Sequence, residues 1–184
     1  MNNKNASKNN KISQIATSDE VIFRDTDLAV IWRIINKNTL YTTIKRYTEQ
    51  GLLKRVKYGI YSIKDSNTLN PDTIGAKILH EYCYVSTETI LERAGILKQR
   101  IQNITFVSNS SKKFSAGVHS FSSRQMKDDF LYNSTGIYMR EGVNYASTER
   151  AVADLLYFNP KYFIDASMTI DWDRVKEIQK IIGY

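Results

Sequence analysis

Residues 36–64, NKNTLYTTIKRYTEQGLLKRVKYGIYSIK, contain the pattern that decides the fold of the first part of the chain. Three apolar residues in it recur at the spacing of one helix face: Leu40, Ile44 and Tyr47. Asn38 or Thr39 is suited to cap this helix. Gly51 is suited to the left-handed position that follows a last helical turn. We therefore expect a helix that begins near Asn38 and ends at Gly51.

The opposite face of this helix is polar and basic. At about 100° per residue it presents Asn38, Tyr41, Thr42, Lys45, Arg46 and Glu49. Short hydrogen-bonding groups and cations on one exposed face are typical of a recognition helix, which contacts base edges and phosphates in the major groove. An ordinary solvated helix surface has a similar composition, so the face alone does not decide between the two interpretations.

A basic hairpin is predicted after Gly51. Residues 53–57 and 60–64 have the composition of two short strands, and Tyr58-Gly59 is the turn between them. The side chains suited to track phosphates or to enter the minor groove are Lys54, Arg55 and Lys57, with Tyr58 at the tip.

A shorter helix is predicted before the polar link 36–38. Its apolar face consists of Leu28, Ile31 and Trp32. Asp25 or Thr26 is suited to cap it, and a short strand at 21–23 and a short helix near 12–16 precede it. The order of helix, turn, helix and basic hairpin predicts a winged helix-turn-helix.

The positive charge of the chain is concentrated in the same region. Residues 1–64 hold twelve Lys/Arg and five Asp/Glu, a net charge of +7, whereas residues 65–184 hold fourteen of each. A basic excess confined to a small folded unit is the electrostatic footprint of nucleic-acid binding. Together with the helix pattern, this charge predicts binding to double-stranded DNA through the polar helix face and the hairpin.

The sequence predicts three segments. Residues 1–9 are rich in Asn, Lys and Ser and are expected to be a disordered tail. Residues 10–66 form the predicted winged helix, and the polar stretch 65–72, which contains Pro71, is the predicted boundary. Residues 72–184 form a second domain with no internal repeat.

The second domain is expected to be α+β with a small antiparallel sheet. A β-meander is predicted from the segments 104–107, 113–116, 120–124 and 137–146. Ser147 is suited to cap a helix that Asn159-Pro160 ends, and Asp171 is suited to cap a final helix.

No pattern in the sequence predicts catalysis, a cofactor or a metal. The eight glycines never fall in the spacing of a phosphate-binding loop, and His80, His119 and Cys83 have no metal-ligand spacing. Cys83 is expected to be a small core residue. Arg150 and Asp154 stand four residues apart on a predicted helix, which favours a local ion pair over an acid–base site.

A cytoplasmic location is expected. No apolar run approaches the roughly 18 residues that span a membrane. The first residues, MNNKNASKNNK, contain no apolar stretch of a secretory signal. A single cysteine cannot form an internal disulfide, which favours a reducing compartment.

Four stretches together resemble the AbiEi-type antitoxins of bacterial abortive-infection, or type IV, toxin–antitoxin systems. They are residues 36–64 quoted above, YVSTETIL (84–91), TERAVADLLYFNP (148–160) and DWDRVKEIQKIIGY (171–184). The similarity runs in the same order over most of residues 20–184. TERAVADLL after a predicted meander is the more specific string, since winged helices are common.

The resemblance implies a two-domain protein without catalytic activity. Its winged helix would bind inverted repeats in its own promoter and repress transcription, and the toxin–antitoxin system would give the cell phage defence or plasmid maintenance. Its second domain would counteract a nucleotidyltransferase-like toxin, and a stable toxin complex is not implied. The chain lacks the Gly-Ser and paired-Asp signature of the toxin itself. The resemblance carries the DNA-reading role onto Asn38, Thr39, Tyr41, Thr42, Lys45 and Arg46, and the wing role onto Lys54, Arg55 and Lys57.

Two other functions remain open from the sequence. One is a transcriptional regulator whose second domain senses a ligand or forms a dimer. The other is an enzyme with an accessory winged helix, which a deep pocket converging on Arg124, Arg150 or Asp154 would favour.

Overall fold

In the computed structural model, which describes residues 11–184, the chain forms two units that divide after Ile78. The predicted tail at residues 1–9 lies outside the described residues. Both units mix helices and strands, so the α+β class is confirmed. The division lies near the end of a helix that follows the polar stretch 65–72. We refer to residues 11–78 as the N-terminal unit and to residues 79–184 as the C-terminal unit.

The N-terminal unit contains a small antiparallel sheet. Its elements are α1 (including 11–16), β1 (Ile22–Arg24), α2 (Asp25–Ile31), α3 (Lys37–Glu49), β2 (Lys54–Lys57), β3 (Ile60–Ser62), a 3₁₀ turn (Ser66–Thr68) and α4 (Pro71–Leu79). The strand order is β1-β3-β2, with Tyr61 of β3 opposite both Phe23 and Arg55. Gly59 has a φ of +75° in the turn between β2 and β3, so the predicted hairpin is confirmed.

One apolar core holds the helices of this unit against the sheet. Its buried members are Ile15, Phe23, Leu28, Trp32, Leu40, Ile44, Tyr47, Leu53 and Tyr61. The Trp32 and Tyr47 rings lie with their centroids 5.5 Å apart. All three residues of the predicted apolar face of α3 are therefore buried. Aromatic contacts of this kind add to the stabilisation from the buried area itself.

The N-terminus of α3 differs from the prediction, whereas its C-terminus agrees with it. Asn36 caps the helix by accepting a hydrogen bond from the Thr39 N–H at 3.1 Å, so α3 begins before Asn38. At the other end Gly51 has a φ of +70°, and the Leu52 N–H donates to the Tyr47 carbonyl. This Schellman arrangement turns the chain so that Leu53, and not Leu52, enters the core.

A carboxylate at the start of α2 joins that helix to α4. Asp27 accepts a hydrogen bond from the Arg24 N–H at 2.8 Å. Arg24 is therefore the cap of α2, one residue before Asp25 and two before Thr26, the predicted caps. The Lys77 ammonium of α4 contacts Asp27 and Glu20, each at 2.8 Å. These bonds fix α4 to the N-terminal unit and explain why the unit continues beyond residue 72.

We expect Asp27→Ala to destabilise the N-terminal unit by about 1–2 kcal/mol at neutral pH, mostly through the lost cap. Burial raises the pKa of Asp27, but the Lys77 and Arg24 contacts outweigh it and leave the pKa below its ordinary value. The stabilisation is therefore present above about pH 4 and is lost as the pH falls through the lowered pKa. Urea unfolding followed by Trp32 fluorescence in a Trp172→Phe background measures this change. The exposed Asp19→Ala is the control and should shift stability by less than about 0.5 kcal/mol.

The C-terminal unit is built on a six-stranded sheet. Its elements are β4 (Cys83–Val85), α5 (Glu88–Arg93), β5 (Asn103–Ser108), β6 (Lys112–Ala116), β7 (His119–Gln125), α6 (Asp128–Leu131), β8 (Ile137–Arg140), β9 (Val143–Ala146), α7 (Thr148–Phe158), a 3₁₀ turn (Ser167–Thr169) and α8 (Trp172–Ile182). The strand order is β6-β7-β5-β4-β9-β8.

The predicted small antiparallel meander is wrong for this sheet. β7 lies between β5 and β6 and runs parallel to β5, and β4 runs parallel to β9. A meander requires each strand to pair with the next one along the chain, and β5 and β6 do not pair. Sequence pattern locates strands by alternation and turns, but it does not specify which strands are neighbours.

Helices α7 and α8 of the C-terminal unit begin at the predicted caps, and α7 ends where it was predicted to end. The Ser147 hydroxyl accepts from the Arg150 N–H at the start of α7, and Asn159 follows its last turn. Asp171 accepts from the Arg174 N–H at the start of α8. Val175, Ile178 and Ile182 of α8 are buried in the main core of the unit.

A fully buried ion pair lies within that core. The Arg150 Nε donates to Asp154 at 2.8 Å, and both side chains are inaccessible to solvent. Arg150 also donates to the Tyr84 hydroxyl and to the carbonyls of Phe130, Asn133 and Thr135. Asp154 accepts from the hydroxyls of Ser86 and Tyr184. The predicted ion pair is confirmed, and its buried hydrogen-bond network indicates a structural role.

Candidate nucleic-acid interface

The predicted DNA-reading residues of α3 lie on its exposed side. They are Asn38, Thr39, Tyr41, Thr42, Lys45 and Arg46. We call this set the basic face. Because the opposite side of α3 is fixed by the core, the basic face has a defined orientation relative to the sheet. A helix anchored in this way presents its outer side chains as a rigid array.

The small polar residues at the start of α3 are partly engaged with the helix itself. Thr42 donates its hydroxyl to the Asn38 carbonyl at 2.8 Å, and Thr39 belongs to the Asn36 cap. The Asn38 side chain projects from the first turn as an exposed amide. An amide can bond in bidentate fashion to adenine, whereas a hydroxyl that already donates keeps its lone pairs as acceptors.

The cations of the basic face are exposed. Lys45 lies 3.8 Å from Glu49 one turn away, and the two side chains are 77% and 64% exposed. Such a pair contributes little stability and leaves the ammonium accessible. The Arg46 guanidinium lies over the Tyr47 ring at 5.2 Å. Both cations are therefore positioned for an anionic partner.

Sequence reasoning missed two further cations near this face. Lys37 is exposed in the first turn of α3, which contains no acidic residue. Lys11 donates to the Trp32 carbonyl, and burial followed by the charge of Arg46 lowers the pKa of Lys11. Lys37 lies at the N-terminus of α3, where the helix dipole is also positive. The two positive charges together favour a bound anion. The sequence contained a signal for this site, because Lys37 directly follows Asn36, a residue type that caps helices.

The hairpin carries the other predicted contacts. Tyr58 is 80% exposed at its tip, and the Arg55 guanidinium lies 5.9 Å from the Tyr58 ring. Lys54 lies 3.9 Å from Asp65, an exposed pair. Lys57 is half-buried. A bulge between Arg55 and Lys57 shifts the register in which β2 pairs with β3. The bulge changes the direction of the strand at its basic end.

A cleft of about 410 Å³ lies between α3 and the hairpin. It brings together four of the predicted residues: Tyr41, Lys45, Arg55 and Tyr58. Asp25 and Glu49 also line it, and the Tyr41 hydroxyl donates to Asp25 at 3.3 Å. The two carboxylates therefore balance the two cations that line the cleft, and Lys37, Arg46 and Lys54 are exposed cations outside it.

Within residues 11–184, neither a reactive thiol nor a metal site is present. Cys83 is buried, and burial raises the pKa of its thiol to about 12, so it is a core thiol at neutral pH. Across residues 11–184, no three His, Cys, Asp or Glu side chains cluster closely enough to hold a metal. In the same part of the chain, no helix has both the length and the apolar character to cross a bilayer.

No protein-family model matches the sequence, and no curated protein matches it significantly.

Proposed function

We propose that the N-terminal unit is a winged helix-turn-helix that binds promoter DNA and represses transcription of its own operon. The observation that carries the proposal is the cleft geometry: the exposed polar side of α3 and the basic hairpin lie beside each other. In a winged helix these are the two elements that contact DNA. The +7 charge of residues 1–64 supports the same function.

In the proposed complex α3 enters the major groove. Asn38 and Arg46 are the side chains with the geometry for bidentate base contacts, while Lys37 and Lys45 neutralise phosphates. Arg55 and Tyr58 of the hairpin reach the adjacent backbone or minor groove. Phosphate contacts dominate affinity, and base contacts determine which sequence is bound.

We further propose that the protein is a non-enzymatic, cytoplasmic antitoxin of the AbiEi type, partner to a nucleotidyltransferase-like toxin. The resemblance of residues 148–160 and 171–184 supports this role, as does the zero net charge of residues 65–184. A neutral unit is suited to act away from DNA. The inverted repeats of the promoter are the expected DNA target.

Two cellular measurements test these roles separately. A reporter gene under the DNA upstream of this gene should be repressed by the full chain, and repression should require α3. In cells whose growth is stopped by the proposed nucleotidyltransferase-like toxin, co-expression of the full chain should restore growth. Loss of growth rescue with intact repression would favour the second candidate, a ligand-sensing regulator, which a polar cleft in the C-terminal unit also supports.

We expect removal of two of the three hairpin cations, Lys54→Ala with Arg55→Ala, to weaken DNA binding by about tenfold. The loss should be similar for a duplex of the upstream DNA and for a duplex of the same composition in shuffled order, because the hairpin contacts the backbone. The slope of log K against log salt should shrink by about two units. Fluorescence anisotropy over a salt series measures both quantities. A loss confined to the specific duplex would instead assign base reading to the hairpin.

A further inference from the structure

The C-terminal unit contains an open cleft of about 710 Å³, lined by α5, β6, β7 and the segment 99–103. This volume is in the range of small-molecule sites. The side chains that give the cleft its chemistry are Glu88, Arg100, Lys112, Lys113, Arg124 and Tyr162. Neither Arg150 nor Asp154 lines it, since both belong to the buried network, so Arg124 is the one residue of the three considered above that reaches the cleft.

Glu88 is a buried carboxylate with one oxygen unused. It is 8% exposed, and its Oε1 accepts from the Arg124 guanidinium at 2.5 Å. Its Oε2 has no hydrogen-bond partner within residues 11–184. A buried charged oxygen without a partner is costly, and buried polar atoms are nearly always satisfied. A ligand that donates a hydrogen bond to Oε2 would remove this cost.

The backbone that holds Glu88 is strained. Thr87 has a φ of +52° and a ψ of −133°, a conformation that β-branched residues rarely adopt. Its hydroxyl also has no hydrogen-bond partner in the described part of the chain. Strained residues persist where the surrounding structure fixes them, and they cluster at ligand sites. Thr87 therefore positions Glu88 at a cost in local conformational energy.

The rest of the cleft is positively charged. Four cations and one carboxylate line it. One of the cations, Lys112, also forms an ion pair with Glu81, with its Nζ 3.4 Å from the Glu81 Oε1. Burial, and then the charge of Glu88, raise the pKa of Tyr162, so this phenol remains a hydrogen-bond donor. The favoured ligand is therefore anionic, but it must also carry a donor for Glu88. A simple anion meets only the first requirement and is repelled by the negative charge of Glu88, whose Oε2 has no donor in the described part of the chain.

We propose that this cleft binds a nucleotide. The phosphates lie against Lys112, Lys113 and Arg100, and a ribose hydroxyl or base amino group donates to Glu88 Oε2. Nucleotides combine both required features in one molecule of suitable size. The proposal does not depend on DNA binding by the N-terminal unit.

Calorimetric titration of the full chain with ATP, GTP, CTP and UTP, one at a time, tests this site. At least one nucleotide should bind with a Kd below about 0.1 mM. The exposed pair Lys112→Ala with Lys113→Ala should weaken that nucleotide by about tenfold or more. Glu88→Gln should weaken nucleotide binding but leave pyrophosphate binding equal or tighter, because the substitution removes the negative charge that repels a simple anion.

Charge-matched controls separate the cleft from the basic N-terminal unit. Lys45→Ala with Arg46→Ala should leave nucleotide affinity unchanged, as should Lys176→Ala with Lys180→Ala on α8. The proposal is overturned if no nucleotide binds at about 1 mM to the folded protein. It is also overturned if the Lys112 and Lys113 changes have no effect, or if pyrophosphate binds as tightly as every nucleotide.

Discussion

Arg150→Met is expected to destabilise the C-terminal unit by about 3–5 kcal/mol. The substitution keeps much of the side-chain volume but leaves Asp154 buried without its cation. It also removes the donor from three carbonyls and from the Tyr84 hydroxyl. Removing one member of a buried ion pair lowers the stability of the fold more than removing both, because the remaining charge keeps its full desolvation cost.

Urea unfolding measures this loss in a Trp32→Phe background, where Trp172 of α8 is the remaining tryptophan. The double variant Arg150→Met with Asp154→Leu is the informative comparison. It should recover part of the lost stability, because it removes the unpaired carboxylate as well. An unfolding midpoint equal to that of the unsubstituted chain would contradict a structural role for Arg150.

Lys45→Ala with Arg46→Ala is expected to cost about 2–4 kcal/mol in binding to the upstream duplex, on the order of a hundredfold in Kd. Arg46 is proposed to contact a base and Lys45 a phosphate, so specificity should fall together with affinity. The fold should be unaffected, because both side chains are exposed and alanine is a strong helix former.

Lys176→Ala with Lys180→Ala is the matched control for the loss of two charges. Both residues are exposed on α8 of the other unit. If DNA binding responded only to the net charge of the protein, the two double variants would weaken it equally. We expect the control variant to bind the upstream duplex within about twofold of the unsubstituted chain.

The N-terminal elements could be predicted because their determinants are local. Helical spacing identified the buried face of α3, and Gly51 marked its end through a backbone conformation that glycine adopts without cost. The cap was placed wrongly because Asn36 and Asn38 are equally good capping residues. Helical periodicity does not describe the turn that follows Gly51, so it could not show that Leu53 is buried while Leu52 is exposed.

The C-terminal site could not be predicted in the same way. Its strands were found by pattern, but the position of β7 between β5 and β6 depends on long-range pairing. That pairing brings Glu88, Lys112 and Arg124 to one cleft from separate parts of the chain. Arg150 and Asp154 were expected as a local pair, and only the packing of Tyr84 and Tyr184 around them shows that they are fully buried.

Sequence-selective DNA binding by the full chain is the central claim, and fluorescence anisotropy with two labelled duplexes tests it most directly. One duplex carries the DNA upstream of the gene, and the other has the same composition in shuffled order. We predict tighter binding to the upstream duplex by at least about tenfold, with affinity for both falling steeply as salt rises. Equal affinity for the two duplexes, or no binding at about 50 mM salt, would contradict the claim.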